Sequence, residues 1–315
     1  MSSKRMGAGW GVWVFVLAGA MTLAGCKDDS KKAGGSAGGN GAAANGAADA
    51  GAPEAGVIKG TVTTTDGRPV KSIGGGISGY SAKSGQNVST NIDGADGKYR
   101  VAVGPGQFGT RAWTDVEYNG RNYRIDLCPV DGKPVLAKQD TTGGVIKNFV
   151  WKLDGFRPGT DARSDERFYG HFGGSINFNP EGQGAAYWAD IKGDYAHAPE
   201  PKIPADATVE LTLTPDGPLI DGSTGKPVVL TQTPGKVTGY MDRITRGIPI
   251  GRYKVTARAK LADGTVKPLR VTPYYQFKNK QAPEPATTAV LEFVQSKPNS
   301  DIVNCVDEVI VHVMY

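Results

Sequence analysis

The sequence contains few of the residues that most enzymes use for chemistry. Among its 315 residues there are only three histidines, three cysteines and five methionines, and aromatic residues make up 8%. No two cysteines, and no cysteine and histidine, have the spacing of a zinc site, and no phosphate-binding P-loop motif occurs. We therefore expect a protein that is not an enzyme and that holds neither a metal ion nor a cofactor.

A concentrated charge of one sign is also missing, since 36 basic and 31 acidic residues leave a net charge of +5. A nucleic-acid partner would require basic residues grouped into a patch. The nearest approach to such a patch consists of Arg243, Arg246, Arg252 and Arg258, which are separated by acidic and strand-forming residues. We interpret these arginines as a solvated sheet face and expect no nucleic-acid partner.

No stretch of the chain shows a sustained helical period, which argues against helical domains. Short runs of alternating apolar residues are instead separated by Asp-Gly and Pro-Gly turns, which is typical of an all-β sandwich. In the second half of the chain we predict strands at 168–178, 208–214, 228–231, 237–241, 253–261, 267–273, 288–294 and 306–315.

The N-terminal residues have the pattern of a secretory signal. Lys4 and Arg5 precede a short apolar run at 12–20, and small residues follow it. The sequence Leu23-Ala24-Gly25-Cys26 resembles a bacterial lipobox, which implies that residues 1–25 are removed and that Cys26 carries lipid, palmitate included. Two alternatives are an ordinary signal peptide with an accidental cysteine and an uncleaved anchor, although the run is short for a membrane span.

Residues 26–56 are predicted to be a flexible tether behind the lipid. They are almost entirely small or polar and contain no aromatic residue. Such a segment buries too little surface to offset its ordering entropy, and its reach is roughly 30 Å. We expect a lipid anchor on the extracytoplasmic side of a cell membrane. Lys27, where a retention signal would place aspartate, favours the outer membrane.

Residues 57–154 contain four turn-and-strand motifs, and Tyr99, Val101 and Val103 alternate as one face of a half-buried strand. The motifs are Gly60-Thr61-Val62, Asp66-Gly67-Arg68-Pro69-Val70, Asp96-Gly97-Lys98-Tyr99 and Pro105-Gly106-Gln107-Phe108. Their order resembles that of the carboxypeptidase regulatory-like domain, which implies a prealbumin-like β-sandwich that serves as a non-catalytic accessory module. The family's apolar second strand is replaced here by the glycine-rich 74–79.

Residues 155–167 are polar and turn-rich, and we predict that they link the first sandwich to a second one at 168–315. For the second domain we expect an Ig-like or prealbumin-like sandwich. Cys128 and Cys305 would fall in different domains, and an extracytoplasmic location favours a disulfide between them. The alternative is two buried free thiols.

The most promising binding surface is the long segment 180–204, which contains Tyr187, Trp188 and Tyr195. Exposed aromatic rings can stack on sugars, whereas the alternative is that these rings pack into the sandwich. For Trp113 and Trp151, at strand positions, we expect core packing. The sequence His197-Ala-Pro-Glu200, with His312 later, imitates a metallopeptidase zinc motif, but flanking prolines and the lack of helices argue against that chemistry.

The sequence therefore predicts a lipid-anchored envelope protein that acts as a non-catalytic binding module. Because the resembled fold is close to that of starch-binding modules, a glycan or peptidoglycan is the expected ligand by analogy. The alternative function is that of a structural scaffold that binds an envelope protein. An unpaired sheet edge or an exposed apolar patch would favour that alternative.

Overall fold

The structure is a computed structural model that describes residues 50–70, 74–81, 83–93, 95–158, 170–180, 202–275, 283–295, 306 and 308–315, which belong to one compact unit. Strands dominate it, so the all-β prediction is confirmed. Among the described residues no helix is long and apolar enough to cross a membrane.

Eighteen strands and two 3₁₀ turns, at Pro234–Lys236 and Tyr240–Arg243, are present in these ranges. The strands are β1 (Val57–Thr64), β2 (Gly76–Tyr80), β3 (Asn87–Asn91), β4 (Lys98–Ala102), β5 (Gln107–Tyr118), β6 (Arg121–Asp126), β7 (Cys128–Pro129), β8 (Gln139–Asp140), β9 (Val145–Ile146), β10 (Phe149–Trp151), β11 (Gly174–Asn179), β12 (Thr208–Pro215), β13 (Val228–Gln232), β14 (Ile244–Ile248), β15 (Arg252–Lys260), β16 (Val266–Tyr275), β17 (Ala289–Glu292) and β18 (Val309–Met314).

The first ten strands form two sheets that enclose one part of the core. One sheet has the order β4-β1-β10-β7, with β9 also paired to β1, and the other has the order β3-β2-β5-β6, with β8 paired to β5. Alternation along β4 buries Tyr99 and Val101 and exposes their neighbours, as the sequence predicted, and Val103 is also buried. This alternation fixes the register, because a slip of one residue would turn these side chains to solvent.

The glycine of the first motif is required by a close backbone approach. A Cβ atom on Gly60 would lie 2.0 Å from the carbonyl oxygen of Lys147. At this point β1 passes from parallel pairing with β9 to parallel pairing with β10, and the side chain of Asn148 accepts a 2.9 Å hydrogen bond from Thr61 N. Gly60 therefore lets the segment between β9 and β10 pass against β1.

The glycine-rich segment at 74–79 contains a regular strand, although no apolar strand was predicted there. Gly76 and Gly79 lie in β2, which pairs with both β3 and β5. A Cβ on Gly76 would come within 2.6 Å of Trp113 Cζ2. The indole therefore lies against the bare backbone of β2 on the outer face of the sheet, and the guanidinium of Arg124 stands 5.5 Å from its ring centroid. The expected core position is thus wrong for Trp113.

The remaining strands form a single sheet of the order β13-β12-β15-β16-β18-β11-β14, with β17 paired to β15. Its first and last strands are consecutive in the chain and are joined through the two 3₁₀ turns, so the sheet nearly closes on itself. Both faces of β11 and β18 are buried, whereas β15 alternates strictly between buried and exposed side chains. The inward residues, which include Leu211, Val255, Val311 and Phe178, form the core of this half.

Two details of this half differ from the predictions. The strand predicted at 237–241 is absent, because Pro234–Lys236 and Tyr240–Arg243 form 3₁₀ turns. Strand β14 follows directly and was not predicted, and it contains Arg246, which is half-buried. The remaining predicted strands of this half correspond to observed strands, although 168–169 and part of 306–308 lie outside the described residues.

Side chains join the two halves at several points. The phenol of Tyr123 donates a 2.8 Å hydrogen bond to the carbonyl of Phe293, and the amide of Gln295 bonds both N and O of Arg124. Gln295 thereby covers the free edge of β6, the end strand of its sheet. Within the predicted linker, Phe156 pairs with His171.

Candidate functional site

The side chains predicted to bind a ligand, Tyr187, Trp188 and Tyr195, lie outside the described residues, as does the predicted lipidation residue Cys26. The described chain reaches this segment from β11, which ends at Asn179, and resumes at 202. Binding by these aromatic rings therefore stays a prediction.

Cys128 lies in the short strand β7 and is buried. Its Sγ atom is 3.6 Å from the carbonyl oxygen of Pro129, and burial raises the pKa of the thiol. A raised pKa keeps the thiol protonated and unreactive at neutral pH. Cys305 lies outside the described residues, so the disulfide also stays a prediction.

A cleft of about 520 Å³ lies where the first sandwich meets the turn that follows β12. Its volume is within the range of small-molecule sites, about 300–1,000 Å³. Buried Val116, Trp151 and Ile220 supply apolar lining, while Arg68, Glu117, Asp221 and others contribute polar groups. The apolar side chains are more than nine-tenths buried and leave little surface for stacking, whereas the exposed Arg68 and Glu117 can exchange hydrogen bonds with a polar ligand such as a sugar.

Local hydrogen bonds hold the Arg68 side of the cleft. Asp66 accepts hydrogen bonds from the hydroxyl of Thr64 and, at 2.7 Å, from Nε of Arg68. These two bonds, with the hydroxyl contributing most, lower the pKa of Asp66 below its ordinary value. The turn is closed by a backbone bond from Thr64 N to the carbonyl of Arg68. The guanidinium, whose side chain is 56% exposed, is therefore oriented beside the cleft by a turn that is also one of the four motifs of the resemblance.

The opposite side of the cleft is positioned by a contact between the two halves. The phenol of Tyr118, at the end of β5, donates to the carbonyl of Pro218 at 2.9 Å and accepts from Arg252 N at 3.0 Å. This pair of bonds holds the turn that contains Asp221 against the end of β5, where Glu117 lies. Asp221 is itself oriented by Ser223, whose N and Oγ donate to it at 2.9 and 2.6 Å.

A second concentration of polar groups lies on the outer face of β11 and β18. Asn177 donates a 3.3 Å bond to the carboxylate of Glu308, which also accepts a 2.7 Å bond from the phenol of Tyr240. His312 is buried on the same face, where desolvation and then Arg243 lower its pKa to about 4. This face is therefore a buried polar layer in which Glu308 joins Asn177 and Tyr240 through hydrogen bonds.

Neither concentration of polar groups has the donor set of a metal centre. Within the described ranges no three His, Cys, Asp or Glu side chains are grouped to hold a metal ion. His312 lies in β18, as predicted, while its two companions in the zinc-like sequence, His197 and Glu200, lie outside the described residues.

Sequence reasoning did not find the cleft. Trp151 was expected in the core, and it is indeed buried, but it also lines the cleft. Glu117 and Asp221 carried no sequence signal beyond their charge, because they meet only through folding. Arg68 lies within one of the four motifs, but at a position that the motif leaves unspecified, so it was not predicted as a site residue either.

The chain was compared with protein-family models, with curated proteins and with solved structures, and no match was found in any of the three comparisons.

Proposed function

We propose that this protein is a lipid-anchored envelope protein whose folded part binds a carbohydrate without transforming it. The observation that carries the proposal is the cleft lined by Trp151, Arg68, Glu117 and Asp221. Sugar hydroxyls accept hydrogen bonds from guanidinium groups and donate them to carboxylates, so these side chains match a carbohydrate ligand.

The resemblance to the carboxypeptidase regulatory-like domain supports the same function. Two residues of the Asp66–Val70 motif, Arg68 and Pro69, line the cleft, so a family-like turn contributes directly to the site. The family's accessory role is consistent with binding rather than catalysis. Membership in that family is part of the proposal and rests on the four motifs.

Lipid attachment supplies the location in this proposal. We expect Cys26→Ser to prevent incorporation of labelled palmitate and to release the chain from the membrane fraction, because a single thiol carries the anchor. The measurement is palmitate labelling and membrane fractionation of cells that produce each form. Cys128→Ser is the matched control and should leave both readouts unchanged. Labelling that survives Cys26→Ser would contradict the lipid anchor.

Binding in the cleft is tested by changing two of its exposed side chains. We expect the Arg68→Gln, Glu117→Gln variant to weaken binding to a responsive glycan at least about tenfold, because charged hydrogen bonds to the ligand are lost. The experiment titrates the full chain with a panel of polysaccharides and peptidoglycan fragments. Lys260→Gln, an exposed change at the end of β15, is the control and should bind normally.

The same panel separates the cleft from the predicted segment. Loss of binding only in a Tyr187→Ala, Trp188→Ala variant would move the site to 180–204 and leave the proposed function intact. Full affinity in both variants would show that neither site binds the glycan. If no glycan of the panel bound to the unmodified chain, carbohydrate binding would be contradicted.

The scaffold function is favoured by one observation. Strand β3 is the end strand of its sheet and exposes Asn87, Ser89 and Asn91. Among the described strands it pairs only with β2, so its other edge presents backbone groups to which an extended segment of a partner could bond. If a partner protein binds through this edge, the substitution Ser89→Pro should abolish its capture.

A further inference from the structure

Three of the four arginines that were interpreted as one solvated face, Arg246, Arg252 and Arg258, fall into two environments. Arg258 is exposed on β15 and forms an ion pair with Glu210, and Arg252 forms pairs with Asp216 and Glu292. The interpretation holds for these two side chains. It is wrong for Arg246, which is half-buried on β14 and forms no ion pair with the described chain.

Register places Arg246 beside a serine and a histidine. Arg246 is the direct partner of Ser175 in the antiparallel pair of β14 and β11, so the two side chains share one face. The hydroxyl of Ser175 is 3.1 Å from Nε2 of His171. His171 and Ser175 are more than nine-tenths buried. The register of Arg246 with Ser175, and the contact of Ser175 with His171, thus place the three residues in one row near the end of the sheet.

This row contains buried nitrogen atoms that have no hydrogen-bond partner in the described chain. Nε and Nη2 of Arg246 and Nδ1 of His171 are inaccessible to solvent and have no hydrogen-bond partner in the described chain. A guanidinium with two buried nitrogens that have no partner loses the hydration of those nitrogens without a compensating hydrogen bond, which makes such an arrangement costly. An anion at this position would satisfy both groups.

The electrostatics of the row favour the same ligand. Desolvation, followed by Arg246 and then Arg157, lowers the pKa of His171 to about 4, so the imidazole is neutral near pH 7. Arg157 is itself held by Asp126 through a 2.7 Å bond. Arg246 is thus the cation of this row whose charge is not balanced by a carboxylate of the described chain.

We propose that Arg246, His171 and Ser175 form a binding site for a small oxyanion, namely the phosphate or carboxylate group of a ligand. The guanidinium donates from Nε and Nη2, the geometry that suits two oxygens of one anion. When the Ser175 hydroxyl donates to Nε2 of His171, the imidazole carries its proton on Nδ1 and can donate it to the anion. The site shares no residue with the cleft.

The test is titration of the purified full chain with inorganic phosphate and, separately, with glucuronate, at constant ionic strength. We expect saturable binding, and we expect Arg246→Gln to weaken it at least about tenfold. Arg258→Gln, which changes an exposed paired arginine, should bind with the affinity of the unmodified chain. Binding of phosphate alone would identify a phosphate group, and binding of both anions would identify oxyanions in general.

A second readout keeps the proposal testable if Arg246→Gln fails to fold. The imidazole resonances of His171, assigned with His171→Gln, should shift saturably as phosphate or glucuronate is added to the unmodified chain. Unchanged affinity in a folded Arg246→Gln protein would overturn the proposal. Resonances of His171 that respond to neither anion would also overturn it.

Discussion

Asp126→Asn is expected to lower the free energy of unfolding by about 3–5 kcal/mol, the range for breaking a buried ion pair on one side. The Asp126 carboxylate is 4% exposed and accepts from Arg111 at 3.2 Å and from Arg157 at 2.7 Å. Arg111 lies in β5, and Arg157, which follows β10, also donates from Nε to the carbonyl of His171 at 3.4 Å, so the carboxylate is linked to the second half through Arg157. Asparagine keeps the shape but removes the negative charge to which both guanidinium groups bond.

Chemical denaturation of Asp126→Asn, compared with the unmodified chain, measures this loss. Glu54→Gln is the matched control, because the Glu54–Arg100 pair is exposed and its removal should leave stability unchanged. If Asp126→Asn were as stable as Glu54→Gln, the contact between the two halves would not depend on the Asp126 carboxylate.

Acidification is expected to destabilise the protein between about pH 6.5 and pH 4. Burial, together with nearby arginines, lowers the pKa of both His171 and His312 to about 4 in the folded state. The unfolded chain takes up protons on these residues at higher pH than the folded chain does. Stability is therefore full above pH 6.5 and falls as pH decreases toward 4, by about 3 kcal/mol for each histidine.

Thermal unfolding measured at intervals from pH 7 to pH 4 tests this effect. The His171→Gln, His312→Gln variant should begin with lower stability, since two buried side chains change, but its stability should depend less steeply on pH in this window. The same steepness in both proteins would show that other groups cause the acid sensitivity.

Local patterning made most of the strands predictable. The strands β4 and β15 are encoded by alternating apolar residues within each strand and by the glycine turns that bound them, so a few neighbouring residues suffice to predict them. Strand β2 was not predicted, because Gly76 and Gly79 are poor strand formers on their own. Their place in a sheet depends on side chains that pack from elsewhere, such as Trp113 over Gly76.

The site was less predictable for a related reason. The cleft depends on the contact of Tyr118 with Pro218, which lies far along the chain, and no local pattern encodes that contact. The same holds for Arg246, which the pairing of β14 with β11, distant in the chain, places beside Ser175. Which charged residues the fold brings next to one another, and which it leaves without an opposite charge, therefore could not be read from the sequence.

The most direct test of the proposed binding function is to incubate the purified full chain with glycans and peptidoglycan fragments and to measure both binding and the state of the saccharide afterwards. We expect saturable binding of at least one saccharide, which is recovered with its chain length unchanged. Recovery of shortened saccharide would show catalysis and contradict a non-catalytic module. If no saccharide of the panel bound, carbohydrate recognition itself would be contradicted.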